Sequence, residues 1–196
     1  MFAGLAASNV PWEQVDVFQV DERVAPDGDP ARNRRLLDAL PLPVQQIHAM
    51  PVTTADHRRA ASAYAAVLPV RLDVVHLGIG DDGHTASWPP ANPASTVTPV
   101  STVMPGPGAT ERDAAVAITG PFKGFVRMTL TPSPVNEAVS RLVLVIGAEK
   151  ADVVARWVEG DLSLPVQSVR RTNTTVVLDQ QAAAQLGPSV HVDPVR

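Results

Sequence analysis

The run Gly78-Ile79-Gly80-Asp81-Asp82-Gly83-His84-Thr85-Ala86-Ser87 gathers three glycines, two carboxylates and an imidazole directly behind an apolar stretch, Leu72-Asp73-Val74-Val75-His76-Leu77. A histidine two residues after an aspartate can be oriented by that carboxylate and act as a general base near neutral pH. Glycines at the end of a buried strand let the backbone turn sharply and approach a ligand. Their N–H groups can then face an anion or a developing oxyanion. Gly78, Gly80 and Gly83 also spell the G-x-G-x-x-G of dinucleotide sites, but that fingerprint needs a helix to open at once. Trp88-Pro89-Pro90-Ala91-Asn92-Pro93 follows instead, and no long helix runs through it. Spacing alone leaves two readings open: an active-site loop, or a tight turn whose His84 caps backbone groups.

Other chemistry-bearing residues are sparse. His48, His57, His76 and His191 lack mutual metal-ligand spacing, and the chain has no cysteine, so neither a metal nor a thiolate nucleophile is indicated. His76, inside an apolar run, reads as a core histidine. Of sixteen basic residues only Lys123 and Lys150 are lysines, which draws notice to both. Trp12, Trp88 and Trp157 are too dispersed for a stacking platform.

The elements that must position these groups follow from pattern and punctuation. Strands are expected over 15–20, 72–77, 114–119, 127–131 and 142–146, with extended segments over 169–171 and 175–178. Helices are expected over 31–40, stopped by Pro41 and Pro43, and up to 68 after a capping-box pattern of Thr53 and Asp56. Further helices are expected over 134–141, over 149–159 up to Gly160, and over 180–186. The proline-rich stretch 89–107, joined by Gly106 and Gly108, reads as a loop holding at most one short strand. Apolar strands alternating with helices predict an α/β fold of three layers, a mostly parallel sheet with helices on both faces. In such sheets ligands sit beyond the carboxyl ends of the strands. Asp21-Glu22-Arg23, Asp82 with His84, and the stretch 147–150 all follow such strands, so the three polar clusters converge on one edge.

A length of 196 residues suits a single domain, 1–196, with a sizeable core. The net charge of -4 argues against a nucleic-acid partner, whose phosphates need a basic face. No stretch approaches the roughly 20 apolar residues of a membrane span, and no signal-peptide pattern opens the chain, so the expected address is the cytoplasm.

Three ordered blocks carry a resemblance. The glycine run resembles the signature of the 6-phosphogluconolactonases, a family that shares its fold with the glucosamine-6-phosphate deaminases. Val17-Phe18-Gln19-Val20-Asp21-Glu22-Arg23, with Asn33 soon after, is similar to the family's strand ending in Asp-Glu-Arg. Arg127-Met128-Thr129-Leu130-Thr131, then Asn136, then Gly147-Ala148-Glu149-Lys150, are similar to its Arg-x-Thr-Leu-Thr and Gly-x-x-Lys blocks.

The resemblance implies hydrolysis of 6-phospho-D-glucono-1,5-lactone in the pentose phosphate pathway, with no cofactor and no metal. It casts His84 as the base that activates water and Asp82 as its orienting carboxylate. Arg127 and Lys150 would grip the substrate phosphate, with Arg23 and Asp21 close to the substrate. N–H groups of Gly80 and Gly83 would meet the charge growing on the carbonyl oxygen. The family also opens with a strand and a Ser-Gly-Gly loop for the phosphate, and this chain shows neither. Residues 1–7 resemble the end of the helix that follows that loop, so the chain is expected to be N-terminally incomplete and weakly active. Two alternatives stand beside the lactonase: a non-catalytic remnant that binds a phosphosugar or a protein partner, and an amino-sugar phosphate deaminase. The deaminase branch carries Asp-Gly-His-Ile-Ala-Phe-Asn-Glu, whereas here Ser87-Trp88-Pro89 stands in that place.

Overall fold

The computed structural model describes residues 2–90, 115–188, 190, 191 and 193. Most of the proline-rich loop expected over 89–107 lies outside the described residues. A short helix α1 (Phe2–Ala6) leads to β1 (Val17–Phe18), β2 (Asp21–Arg23), α2 (Arg34–Leu37), β3 (Ile47–His48), α3 (His57–Val67) and β4 (Val74–Leu77). After the undescribed stretch come β5 (Val116–Phe122), β6 (Phe125–Leu130), α4 (Pro132–Glu137), β7 (Ser140–Val145), α5 (Ala151–Glu159) and β8 (Thr174–Leu178).

Two strand groups matter for position. The parallel sheet β4-β7-β8 pairs His76 with Leu142 and Val143 with Val176. It ends in the glycine loop on one strand and in Gly147 on the next. An antiparallel sheet β2-β6-β5 sets Arg23 opposite Arg127 and Glu22 opposite Met128. A third, two-stranded parallel sheet joins β1 to β3. The core combines Val75, Leu77, Met128, Leu130, Val143 and Trp157 with residues of the surrounding helices. Among the described residues, no helix is long and apolar enough to cross a membrane.

The α/β class stands, while several elements are shorter than expected, for local physical reasons. The strand expected over 15–20 ends at Phe18, and the chain then changes sheet. Gln19 marks that switch: its side chain accepts from the Met50 N–H at 2.8 Å and its carbonyl accepts the Tyr64 hydroxyl at 3.0 Å. Asp21-Glu22-Arg23 is therefore itself a strand, not the loop after one. The helix over 31–40 shrinks to α2, whose start is capped where the N–H groups of Asn33 and Arg34 donate to the Glu22 carboxylate at 2.7 and 2.8 Å.

Asp56 caps α3 by accepting the Arg59 N–H at 3.0 Å, and Thr53 has no part in it. The helix over 134–141 starts and stops earlier, as α4. Its end is held by Arg141, whose buried guanidinium donates to the carbonyls of Asn136 and Ala138 at 3.1 and 3.0 Å. Residues 148–150 form one 3-10 turn ahead of α5, which closes on Gly160 in the left-handed conformation at φ +94°. Residues 180–186 make turns rather than a helix, and 169–171 join no strand.

Glu22 is the polar centre of this framework. It is wholly buried, pairs with Arg32 Nε at 3.1 Å, and accepts from the Gln19 side chain at 3.0 Å and from the Arg23 N–H at 2.8 Å. Burial alone opposes its charge, but the donors from Gln19, Asn33, Arg23 and Arg34 outweigh that and hold its carboxyl below the usual range. A depressed carboxylate pKa contributes stability that is complete above the unfolded value and is lost as pH falls through the folded one. Glu22→Gln is expected to cost about 3–5 kcal/mol at pH 7, the scale of a broken buried pair. In urea titrations the gap between wild type and variant should narrow as pH drops below about 4.3; a gap independent of pH would refute a charged Glu22.

Candidate functional site

The glycine loop is built around one imidazole. The Gly80 N–H donates to the His84 carbonyl at 2.8 Å, and the Gly83 N–H donates to the Gly80 carbonyl at 3.0 Å. The Val166 N–H donates to the Gly83 carbonyl at 3.1 Å and so ties the loop to the chain beyond α5. A Cβ on Gly80 would lie 1.9 Å from ring atoms of His84, so only glycine leaves room for the ring. Gly83 adopts φ +80°, and a Cβ there would also meet Leu164 Cδ2 at 2.7 Å. Asp82 Oδ1 accepts the His84 backbone N–H at 3.1 Å and bonds the ring Nδ1 closely. With Nδ1–H donating a hydrogen bond to the Asp82 carboxylate, Nε2 carries the lone pair, as a general base requires. Burial works against charge on Asp82, but its bonds from His84 hold it below the ordinary carboxylate range.

The opposite wall is the β2-β6 ladder. Asp21 accepts the Ser87 hydroxyl at 2.7 Å and Asn33 Nδ2 at 3.2 Å, and it lies 3.9 Å from Arg127 Nη1. Burial still raises its pKa above the usual value. Ser87 is fully buried; its N–H donates to Thr129 Oγ1 at 3.2 Å, and the Trp88 indole N–H donates to the Leu130 carbonyl at 2.7 Å. These bonds stitch the end of the loop to β6. Arg127 is only 4% exposed, and its Nε donates to the Phe122 carbonyl at 3.3 Å. Burial, and then the charge of Arg23 opposite, draw its pKa down. Arg23 itself donates to the Ala31 carbonyl at 2.5 Å.

Lys150 ends the 3-10 turn after Gly147, whose N–H is held by the Asp179 carboxylate at 3.1 and 3.2 Å. Lys123, at the β5-β6 turn, sits 2.7 Å from Asp81 and 3.5 Å from Asp82. One cavity of about 460 Å³ collects Asp21, Arg23, His84, Lys123, Arg127 and Lys150 on its lining.

The structure therefore brings together His84, Asp82, Asp21, Arg23, Arg127, Lys150 and Gly80 from three separate blocks of sequence. It corrects one expectation. Gly80 and Gly83 give their N–H groups to partners inside the loop, so neither serves as an oxyanion donor, and Gly83 lies off the cavity lining. Asp82 stands behind His84 rather than in the cavity wall. Sequence reasoning assigned no role to Lys123, although its rarity and its place in a Lys-Gly turn between two strands were signals. Phe122 and Ser87 carried no such signal.

Asp81, Asp82 and His84 bring one donor atom each to within 4.8 Å of one another. The Lys123 ammonium already neutralises that corner, and the cluster carries no metal assignment.

Residues 1–178 match the family model described as glucosamine-6-phosphate isomerases/6-phosphogluconolactonase. The chain belongs to that family. The 6-phosphogluconolactonase of Streptomyces coelicolor is 31% identical to it, over 97% of this chain and 79% of that protein. That of Synechocystis is 30% identical, over 96% and 80%. Among solved structures, the 6-phosphogluconolactonase of Thermotoga maritima superposes with a TM-score of 0.73 at 26% identity, covering 90% of this chain and 78% of its own.

The two glycines should separate under mutation. Gly80→Ala must push the imidazole off Asp82, moving the His84 ring signals in a ¹H–¹⁵N spectrum while thermal unfolding changes little. Gly83→Ala should instead lower stability, by about 1–2 kcal/mol for the left-handed backbone and more for the Leu164 contact. Undisturbed His84 signals in Gly80→Ala would show that the ring does not depend on that glycine.

Proposed function

We propose that this chain hydrolyses 6-phospho-D-glucono-1,5-lactone to 6-phosphogluconate, the lactonase step of the pentose phosphate pathway. The supporting observation is the placement of an Asp82-oriented imidazole and four cations, Arg23, Lys123, Arg127 and Lys150, around one cavity. His84 Nε2 takes a proton from water as the water oxygen attacks the lactone carbonyl carbon. The tetrahedral intermediate collapses, the bond from that carbon to the ring oxygen breaks, and the ring oxygen receives the proton that His84 took from water, which restores the neutral imidazole. The substrate phosphate lies between Arg127, which offers a fork of donors, and Lys150, a compact charge. Charge on the carbonyl oxygen is met by the cationic wall rather than by Gly80 and Gly83. The reaction consumes water alone and involves no redox change or carried group, so it calls on no redox or group-carrying cofactor.

The proposal treats 1–196 as one domain acting in the cytoplasm on a small phosphosugar lactone, with no nucleic-acid or membrane partner. The same cavity in a non-catalytic binding protein would stabilise the chain with 6-phosphogluconate and yield no turnover.

Two variants test the roles. General base catalysis supplies about a hundred- to ten-thousand-fold, so His84→Ala is expected to lower kcat by that order with substrate affinity nearly intact. Lys150→Ala should weaken 6-phosphogluconate binding by about 1.5–3 kcal/mol and leave hydrolysis of unphosphorylated gluconolactone unchanged. Wild-type turnover in His84→Ala, corrected for spontaneous hydrolysis, would remove the base assignment. Equal losses with both ligands would take Lys150 away from the phosphate.

A further inference from the structure

The turn between β5 and β6 sets two side chains against the proposed machinery. Lys123 and Gly124 form a two-residue connection with φ +48° and +85°. Positive φ at both positions suits the twist of a tight hairpin, and a lysine there accepts steric strain that glycine or asparagine would reduce. The strained lysine is anchored, with its ammonium 2.7 Å from Asp81 and 3.5 Å from Asp82. The ladder shifts register between Thr119 and Phe122, which re-aims the tip of the hairpin.

Phe122 is aimed between two functional groups. Its ring meets the His84 imidazole edge-on, with centroids 5.3 Å apart at 76°. The Arg127 guanidinium lies 5.2 Å from the centroid of the same ring. Arg127 Nε also donates to the Phe122 carbonyl, at 3.3 Å. One aromatic ring is thus in contact with both His84 and Arg127. Edge-on aromatic pairs and cations near a ring are both attractive, and both depend on orientation.

We propose that Phe122 is a positioning residue for the hydrolysis: its ring fixes His84 and Arg127 relative to one another, while Lys123 pins the hairpin tip to the Asp81-Asp82 turn. This rests on the reading of His84 as base and Arg127 as phosphate cation. An anion held by Arg127 then bears, through Phe122, on the orientation of the imidazole. A phosphorylated lactone gains from that coupling and an unphosphorylated one does not.

The test compares Phe122→Leu, which keeps apolar bulk without a ring, with Phe122→Tyr, which keeps the ring. Misplacement of a catalytic group by about an ångström can cost on the order of a hundredfold; Phe122→Leu is accordingly expected to lower kcat on the phosphorylated lactone by roughly ten- to a hundredfold. KM should move far less, and Phe122→Tyr should restore kcat. Combined with His84→Ala, Phe122→Leu should add no further loss, because the ring acts through that histidine.

A second readout needs no turnover. Titration with inorganic phosphate, which can occupy the Arg127–Lys150 end of the cavity without placing a carboxylate beside His84, should shift the His84 ring signals in a ¹H–¹⁵N spectrum of the wild type and of Phe122→Tyr, and leave them still in Phe122→Leu. A wild type that binds phosphate but never hydrolyses the lactone would defeat the lactonase reading alone, with the spectra still deciding the role of Phe122. Wild-type kcat together with an undiminished shift in Phe122→Leu would overturn the inference. So would a loss that Phe122→Tyr fails to restore and that tracks a falling melting temperature.

Discussion

The burial of one charge organises this molecule. Glu22 sits at zero exposure in the middle of a three-residue strand, and alternation along that strand sends its neighbours to the other face. Glu22 faces the side it shares with Met128, while Asp21 and Arg23 share the opposite face with Thr129 and Arg127. A carboxylate removed from water needs compensating donors, and it finds them in Gln19, Arg32 and three backbone N–H groups. Those donors come from both sides of β2, so satisfying Glu22 also shapes the sheet switch at Gln19 and the start of α2. The functional face of β2 follows from its buried face.

The cavity lies where this antiparallel ladder meets the end of the parallel sheet. Ser87 and Trp88 carry the seam, each donating across it, and the close fit of Gly80 to His84 completes the other side. The result concentrates positive charge in a confined space. Arg23 and Arg127 are direct cross-strand neighbours, a pairing that is unfavourable between like charges. Asp21 offsets part of that repulsion at 3.9 Å from Arg127. A phosphate dianion would offset more of it, which is a physical reason for such a site to prefer phosphorylated over neutral sugars.

Much of this was legible in the residues. The order of three motif blocks and the apolar run before the glycines located His84, Asp82, Asp21, Arg23, Arg127 and Lys150 at one end of an α/β fold. Element boundaries were less legible because the groups that cap an element can come from elsewhere in the chain. The helix expected from residue 31 begins at Arg34, where the Glu22 carboxylate receives the N–H groups of Asn33 and Arg34. Residues 180–186 have helical composition, and Asp179 accepts the Ala182 N–H at 2.7 Å as a helix cap would, but the bonds that follow, from the Ala184 N–H to the Gln181 carbonyl and from the Leu186 N–H to the Ala183 carbonyl, span three residues and close turns.

The sequence by itself determined the class of fold and, through the order of its motif blocks, the candidate base with its carboxylate and the candidate cations for a phosphate. An imidazole and a carboxylate two residues apart are a local relation written in spacing, whereas the room that Gly80 leaves for the ring is not. Tertiary structure alone decided which N–H groups remain free for an oxyanion. That depends on how the loop closes on itself, and the closure consumes those of Gly80 and Gly83. It also decided that Phe122 and Lys123, some forty residues beyond His84 in the chain, complete the surroundings of that histidine. Their approach depends on the register of β5 against β6 and on a left-handed turn whose pairing no local pattern specifies.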